Sequence, residues 1–181
     1  MNAGGGYRPG PPPASDPGDD AARPSMPGPV TGGWLTPSQI PDAIRSAGQR
    51  FLPRVEGTNR PTAGVFEGER IESGGRDKDL AADLDHGPLR GPPVTFYQHA
   101  ESKVAARMRR DHLTSADLVV DNTVCGSNPR DQTSQWSCDR ILPAILPAGS
   151  QLTVWVTRDA GRTWWVRTYR GTGERIKPWP S

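Results

Sequence analysis

The chain has 181 residues and a formal net charge of +2 at pH 7, which is enough for one domain with additional tail sequence. Hydrophobic residues make up 33% of the chain, and no segment approaches the roughly 18 consecutive apolar residues of a membrane span. The N-terminal region has no apolar core of signal-peptide length, so we expect neither a Sec signal peptide nor a membrane partner.

The N-terminal residues differ in composition from the rest of the chain. Residues 1–33 contain eight Gly and eight Pro, a composition that cannot bury enough apolar surface to offset the entropy of ordering. We expect this segment to be a disordered leader or linker. Residues 34–61 follow as a short helical or extended lead-in, with one helix near residues 41–49. Residues 62–181 are expected to form the functional domain.

Hydrophobic patterns predict the first elements of that domain. Residues 62–73 alternate in polarity and are bounded by glycines, which predicts one or two short strands. A helix is predicted over residues 97–112, because its apolar side chains recur on one face. The continuous apolar run within residues 116–122 predicts a central strand that is covered on both faces.

The C-terminal third is predicted to contain one more helix and two strands. Residues 138–146 read as a short helix that Pro143 bends or shortens. Residues 151–156 and 162–169 read as strands, and the turn between them is too short for a crossover helix, so they are antiparallel neighbours. The order of elements predicts an α/β fold, with a mixed sheet of about five strands and flanking helices.

Four side chains with metal-binding or proton-transfer chemistry are expected to meet. The two cysteines, Cys125 and Cys138, are compatible with a disulfide, with buried thiols or with metal ligands. His99 and Glu101 lie near the start of one predicted helix, Cys138 starts another, and Cys125 follows the central strand. Because open α/β sheets bind ligands at the carboxyl edge of their strands, these groups are expected in one crevice.

These residue types point to a catalytic zinc site. Two thiolates and one imidazole give the three protein ligands that such a site uses, and the fourth position is left for water. Glu101 then stands beside the metal as a general acid–base. An H-x-E motif followed by two cysteines is the signature of zinc-dependent nucleobase deaminases. The spacing departs from that signature, because twelve residues separate Cys125 from Cys138.

Several segments carry a resemblance to a known family. TAGVFEG, QHAESKVAARMRRDHLTSADLVVDN, CDRILPAILPAGSQLTVWV and VRTYRG resemble the bacterial polymorphic-toxin branch of the cytidine deaminase superfamily, which includes the interbacterial DNA cytosine deaminase toxins. The resemblance implies a cytidine-deaminase-like fold for residues 62–181, one Zn²⁺ bound by His99, Cys125 and Cys138, and proton transfer by Glu101. It further implies a toxin warhead delivered from the producing bacterium into a target-cell cytoplasm, and a cognate immunity protein.

The expected substrate is cytosine in DNA, which is converted to uracil. The region from residue 95 onward contains 12 Lys and Arg against 8 Asp and Glu, and basic clusters favour a polyanion. Single-stranded DNA is favoured over double-stranded DNA, because no wedge residue for opening a duplex is identifiable. The resemblance nominates Asn122 for a base or sugar contact. Arg130 and Trp136, in the loop between the cysteines, are nominated for contacts with flanking bases.

Two other functions remain open at this point. One is a deaminase of free cytidine or of RNA. The other is a non-catalytic binding module that is stabilised by zinc or closed by a disulfide. A purely structural zinc site is closed by four protein ligands, whereas three are identified here, and this difference favours the enzyme. We expect the protein to be a monomer.

Overall fold

The computed structural model describes residues 31–86, 91–128, 132 and 134–176. Within these residues, six strands form one mixed sheet in the order β1-β6-β5-β4-β2-β3. The strands are β1 (Thr31–Leu35), β2 (Ala63–Phe66), β3 (Glu69–Glu72), β4 (Ser115–Val120), β5 (Gln151–Val156) and β6 (Trp164–Arg170). The α-helices are α1 (Asp42–Gly48), α2 (Ala100–Arg110) and α3 (Cys138–Ile145).

The sheet confirms the predicted α/β class. β4 and β5 pair in parallel, and α3 lies in the connection between them. The other pairings are antiparallel, and β5 and β6 form the expected final hairpin. The five predicted strands correspond to β2 through β6, whereas β1 has no predicted counterpart.

Strand β1 also changes the expected boundary of the leader. Its register pairs Gly32 with Arg167 and Trp34 with Trp165, so the sheet includes residues 31–33, which were assigned to the leader. Two adjacent glycines give β1 a weak strand propensity, and its place in the sheet comes from pairing with β6. The part of the expected leader before residue 31 lies outside the described residues.

Two apolar layers hold the helices against the sheet. α2 and α3 pack on one face, where Val104, Leu142 and Leu118 belong to the larger cluster of buried side chains. α1 packs on the other face, in a smaller cluster that includes Val119 and Trp164. Because Leu118 and Val119 are buried on opposite faces, the continuous apolar run of β4 is explained, and its prediction as a covered central strand is confirmed.

The segment after β6 completes the C-terminal end of α3. Pro143 lies inside this helix, which continues for two residues beyond it, to Ile145. The carbonyl of Pro143 accepts a hydrogen bond from the backbone N–H of Thr172 at 2.8 Å, and the carbonyl of Ala144 accepts one from Arg175 at 2.8 Å. These bonds satisfy carbonyl groups that the last turn of a helix leaves without an intrahelical partner.

Gly48 permits the close packing of α1 on the sheet. A Cβ atom at Gly48 would lie 2.4 Å from Cη2 of the fully buried Trp164 ring. We expect Gly48→Ala to lower the free energy of unfolding by about 1–3 kcal/mol, because overpacking of a core outweighs the better helix propensity of alanine. Thermal unfolding measures the change. Gly33→Ala is the control, since nothing lies within 4 Å of that Cβ, and equal melting temperatures for the two variants would contradict the prediction.

Candidate active site

The site forms where three elements meet. The carboxyl end of β4 leads through Asp121 and Asn122 into the loop that carries Cys125. His99 is the N-cap residue of α2, and Cys138 is the first residue of α3. α2 begins three residues later than predicted, because residues 94–96 form a 3-10 helix before it. The starts of two helices therefore lie beside the edge of the central strand.

The structure brings three of the four expected side chains into one cluster. One donor atom from each of His99, Glu101 and Cys138 lies within 4.8 Å of the others. The Sγ atom of Cys138 is 3.2 Å from Nδ1 of His99, and the Ser102 hydroxyl is 3.9 Å from the same sulfur. Glu101 and Cys138 are buried, whereas His99 is partly exposed.

Cys125 lies beside this cluster rather than within it. It is half-buried and lines the same pocket as His99 and Glu101. Its carbonyl accepts the backbone N–H of Asp139 at 2.9 Å, which ties the Cys125 loop to the first turn of α3. Both cysteines are among the described residues, and no disulfide joins them. The geometry thus places the second thiol next to the three clustered groups.

Burial controls the protonation of the cluster. It lowers the pKa of His99, so the imidazole is neutral at pH 7 and available as a ligand. Burial raises the pKa of Glu101 to about 7, against the opposing effect of a hydrogen bond with its own backbone. The pKa of the Cys138 thiol is raised well above its usual value, first by burial and then by the negative charges of Glu101 and Cys125.

This donor set fits a divalent metal ion. It combines an imidazole nitrogen with thiol sulfur, which are ligand types that Zn²⁺ prefers, and the Cys138 thiol is buried. The charges that act on Cys138 are negative, and only its hydrogen bond with Ser102 opposes their effect on its pKa. A bound cation would balance these charges, so the residues present fit zinc.

A second group of side chains fixes the start of α3. The carboxylate of Asp139 accepts hydrogen bonds from the Tyr169 hydroxyl at 2.8 Å and from Nη2 of Arg167 at 2.8 Å. Tyr169 is fully buried, and both partners belong to β6. These contacts hold the residue next to Cys138 against the sheet. No local sequence pattern marks these contacts, because the partners lie 28 and 30 residues away along the chain.

An open pocket of about 460 Å³ leads to the cluster. Its wall comes largely from residues 54–62, which precede β2, and from the loop after β4. The residues that line it are Arg54, Asn59, Arg60, Pro61, Thr62, Ser73, Gly74, Gln98, His99, Glu101, Asn122, Thr123 and Cys125. His99, Glu101 and Cys125 thus face a space that a small ring can enter from solvent.

The three residues nominated for substrate contact have different positions. Asn122 lines the pocket, and its Nδ2 atom donates to the Thr62 hydroxyl at 3.3 Å. Trp136 packs edge-to-face on the buried Phe96, with ring centroids 5.5 Å apart. Arg130 lies outside the described residues. Asn122 is therefore the nominated residue with a described place at the pocket.

The basic side chains of α2 are engaged within the protein. Arg109 forms a salt bridge with Asp83 at 2.8 Å, and Arg107 forms one with Glu69 at 2.8 Å. Lys103 donates to the backbone carbonyl of Glu72 at 2.6 Å. The count of basic residues from residue 95 onward includes these paired side chains, and binding of a polyanion stays a prediction.

The fold and the cluster together define a class of protein. A mixed α/β sheet with a histidine and a glutamate at the start of one helix, a cysteine at the start of another and a second cysteine in the adjacent loop fits a zinc-dependent deaminase. A comparison with protein-family models matches residues 32–175 to the SCP1.201-like deaminase family. This match covers well over half of the chain, and the protein belongs to that family. A comparison with curated proteins gave no match. In the described part of the chain, no helix has the length and apolarity to cross a membrane.

Proposed function

We propose that the protein catalyses the hydrolytic deamination of cytosine to uracil in DNA, with one Zn²⁺ per chain. The observation that carries this proposal is the convergence of His99, Glu101 and Cys138 at a pocket in a chain of the deaminase family. His99, Cys138 and the adjacent Cys125 would hold the metal. When bound, Zn²⁺ supplies Lewis-acid chemistry that lowers the pKa of water at its open position.

Glu101 is proposed as the group that moves protons. Its carboxyl group is buried at the pocket, within 4.8 Å of donor atoms of His99 and Cys138. From this place it takes one proton from the attacking water and delivers it to N3 of the ring, and it then carries the second proton of that water from the oxygen at C4 to the departing amine. Water adds at C4, the C4–N bond breaks, and the products are uracil and ammonia. A single carboxyl group therefore serves both halves of the reaction.

Asn122 is proposed to orient the base or its sugar. Its amide lines the pocket, and the hydrogen bond from Nδ2 to Thr62 fixes the plane of that amide. The Oδ1 atom has no protein partner among the described residues and is free to accept a hydrogen bond from a ligand. Asn122 and Glu101 line the same pocket, so a cytosine held beside Glu101 would lie in the space that Asn122 borders.

The biological role is proposed from the sequence resemblance. The segments around His99 and Cys138 resemble polymorphic toxins that deaminate cytosine in the DNA of competing bacteria. We infer that the domain is a toxin warhead that acts in the cytoplasm of a target cell, and that the producing cell makes an immunity protein. Co-purification of the chain with the product of a neighbouring gene, followed by loss of activity on binding, tests this role.

Defined substrates test the activity itself. We expect the purified, zinc-loaded chain to convert cytosine to uracil in single-stranded DNA faster than in duplex DNA or RNA, and faster than free cytidine. Turnover of DNA should fall as salt rises, because phosphate contacts are screened. Sequencing of treated oligonucleotides and release of ammonia measure the products. Equal turnover of cytidine and oligonucleotide, insensitive to salt, would contradict the assignment to DNA. Failure to deaminate any of them would remove the proposed function.

A further inference from the structure

A buried carboxylate at the end of β4 holds two arginines of the pocket wall. The side chain of Asp121 is 1% exposed, and its Oδ1 lies 3.1 Å from Nη1 of Arg54. Its Oδ2 lies 2.5 Å from Nη2 of Arg60. The same carboxylate accepts the backbone N–H of Ala63 at 2.8 Å. Asp121 therefore fixes the segment of residues 54–63, which forms one side of the pocket.

The charges of this group do not cancel. Two guanidinium groups share one carboxylate, so the wall retains one positive charge at neutral pH. Of the acidic residues in the described chain, only Glu101 lines the pocket with them. Cytosine and its nucleoside are uncharged at this pH. A net cation beside the pocket is therefore not required by the target base.

The two arginines differ in what they can offer to a ligand. The Arg54 side chain is 8% exposed, and both of its terminal nitrogens contact protein oxygens, among them the carbonyls of Arg60 and Pro61. The Arg60 side chain is 35% exposed. Its Nη2 donates hydrogen bonds to Oδ2 of Asp121 and to the carbonyl of Leu52 at 3.1 Å. Its Nη1 has no protein partner among the described residues. Arg60 is thus held in place with one donor group available.

We propose that Arg60 binds a phosphate group next to the target base, and that this contact makes the pocket select a phosphorylated substrate over a nucleoside. The inference rests on the proposed function and adds a specificity-determining residue to it. A guanidinium group suits this task because it stays charged and presents donors in a fixed fork. Asp121 acts as a positioning residue, since it holds that fork against the pocket wall. The phosphate belongs either to a nucleic acid strand or to a free nucleotide.

The test compares Arg60→Gln with Arg170→Gln in the zinc-loaded chain. Arg170 is exposed and pairs in register with Gln151, at the opposite end of the sheet from the pocket, so its variant removes the same charge elsewhere. Three substrates separate the sources of phosphate: a cytosine-containing oligonucleotide, deoxycytidine 5′-monophosphate and deoxycytidine. We expect Arg60→Gln to lower kcat/KM for the oligonucleotide about tenfold more than for deoxycytidine, mainly through KM. Arg170→Gln should leave all three unchanged, and Arg60→Lys should recover part of the loss.

If Arg60→Gln lowers kcat/KM for both the monophosphate and the oligonucleotide, the contact is to the phosphate of the target nucleotide itself. Loss on the oligonucleotide alone assigns it to a flanking phosphate of the strand. An equal loss on all three substrates, or no loss on any, overturns the proposal.

Binding separates this proposal from the proposed function. Fluorescence anisotropy with a labelled oligonucleotide requires no turnover. We expect Arg60→Gln to weaken binding and to lower the slope of log Kd against log salt concentration by about 1. If the wild-type chain binds DNA through Arg60 but does not deaminate it, the proposed activity is refuted and the proposed phosphate contact is retained. Identical binding by Arg60→Gln and wild type overturns the contact, whatever the activity.

Discussion

Replacement of Glu101 by glutamine or alanine should abolish deamination while zinc content stays near one ion per chain. The carboxyl group is 4% exposed, lines the pocket and lies within 4.8 Å of donor atoms of His99 and Cys138. General acid–base groups contribute about 10²–10⁴-fold to rate, and a group that serves several proton transfers contributes toward the upper end. Glutamine preserves the shape of the side chain, so the melting temperature should change little.

Zinc analysis decides between the two possible roles of Glu101. Its carboxylate lies close enough to His99 and Cys138 to count among the candidate metal donors. Loss of zinc from Glu101→Gln would make Glu101 a ligand and would refute its assignment as a proton shuttle. Glu69→Gln removes an exposed carboxylate that pairs with Arg107 on the surface, and this control should retain full activity. If DNA is the substrate, as proposed, the Glu101 variants should also give higher yields in bacterial hosts, because they would not damage host DNA.

Removal of Cys138 should cost most of the bound zinc and much of the stability. Its sulfur is completely buried, 3.2 Å from His99, and alanine in its place leaves the site with one thiol. A metal that binds the folded chain and not the unfolded one stabilises the folded state, so a lost ligand lowers the melting temperature. Cys125→Ala should behave in the same direction. Zinc content and thermal unfolding, measured on the same preparation, check both variants.

A chelator separates the metal contribution from the packing contribution. In its presence, the wild type and Cys138→Ala should differ far less in melting temperature than they do when zinc is bound. Ser127→Ala is a suitable control, since that hydroxyl bonds the carbonyl of Val124 within the same loop. A preparation with full zinc content after removal of either cysteine would contradict the ligand assignment. So would a wild-type chain, prepared from a reducing cytosol, that contains a Cys125–Cys138 disulfide and no metal.

Local patterns in the sequence predict much of the sheet and the helices. The apolar run of β4 and the short turn of the final hairpin are local patterns. They predict strands without knowledge of the residues that each strand contacts. Trp164 is fully buried and the adjacent Trp165 is only partly buried, because neighbouring residues of a strand face opposite sides of the sheet. These features depend on residues that are close in sequence, or on the alternation of side chains between the two faces of a strand.

Features that depend on distant partners are not predicted. The glycines of β1 give no strand signal, and β1 becomes part of the sheet only because β6 offers it an edge. The ion pairs of Asp121 with Arg54 and Arg60 span 67 and 61 residues of sequence, so no local pattern marks them. The only available signal is an acidic residue directly after a buried apolar run. For the same reason, the pairing of the α2 cations with Asp83 and Glu69 is invisible in a charge count.

The hydrogen bonds that complete α3 have a consequence for the order in which the enzyme matures. The helix that starts at Cys138 is closed at its other end by Thr172 and Arg175, and the residue after Cys138 is held by Tyr169 of β6. The ribosome makes the N-terminal part of a chain first, so His99 and Glu101 are synthesised well before these supports. We therefore expect the nascent chain to remain inactive until the last part of the domain has left the ribosome, with stable metal loading following release.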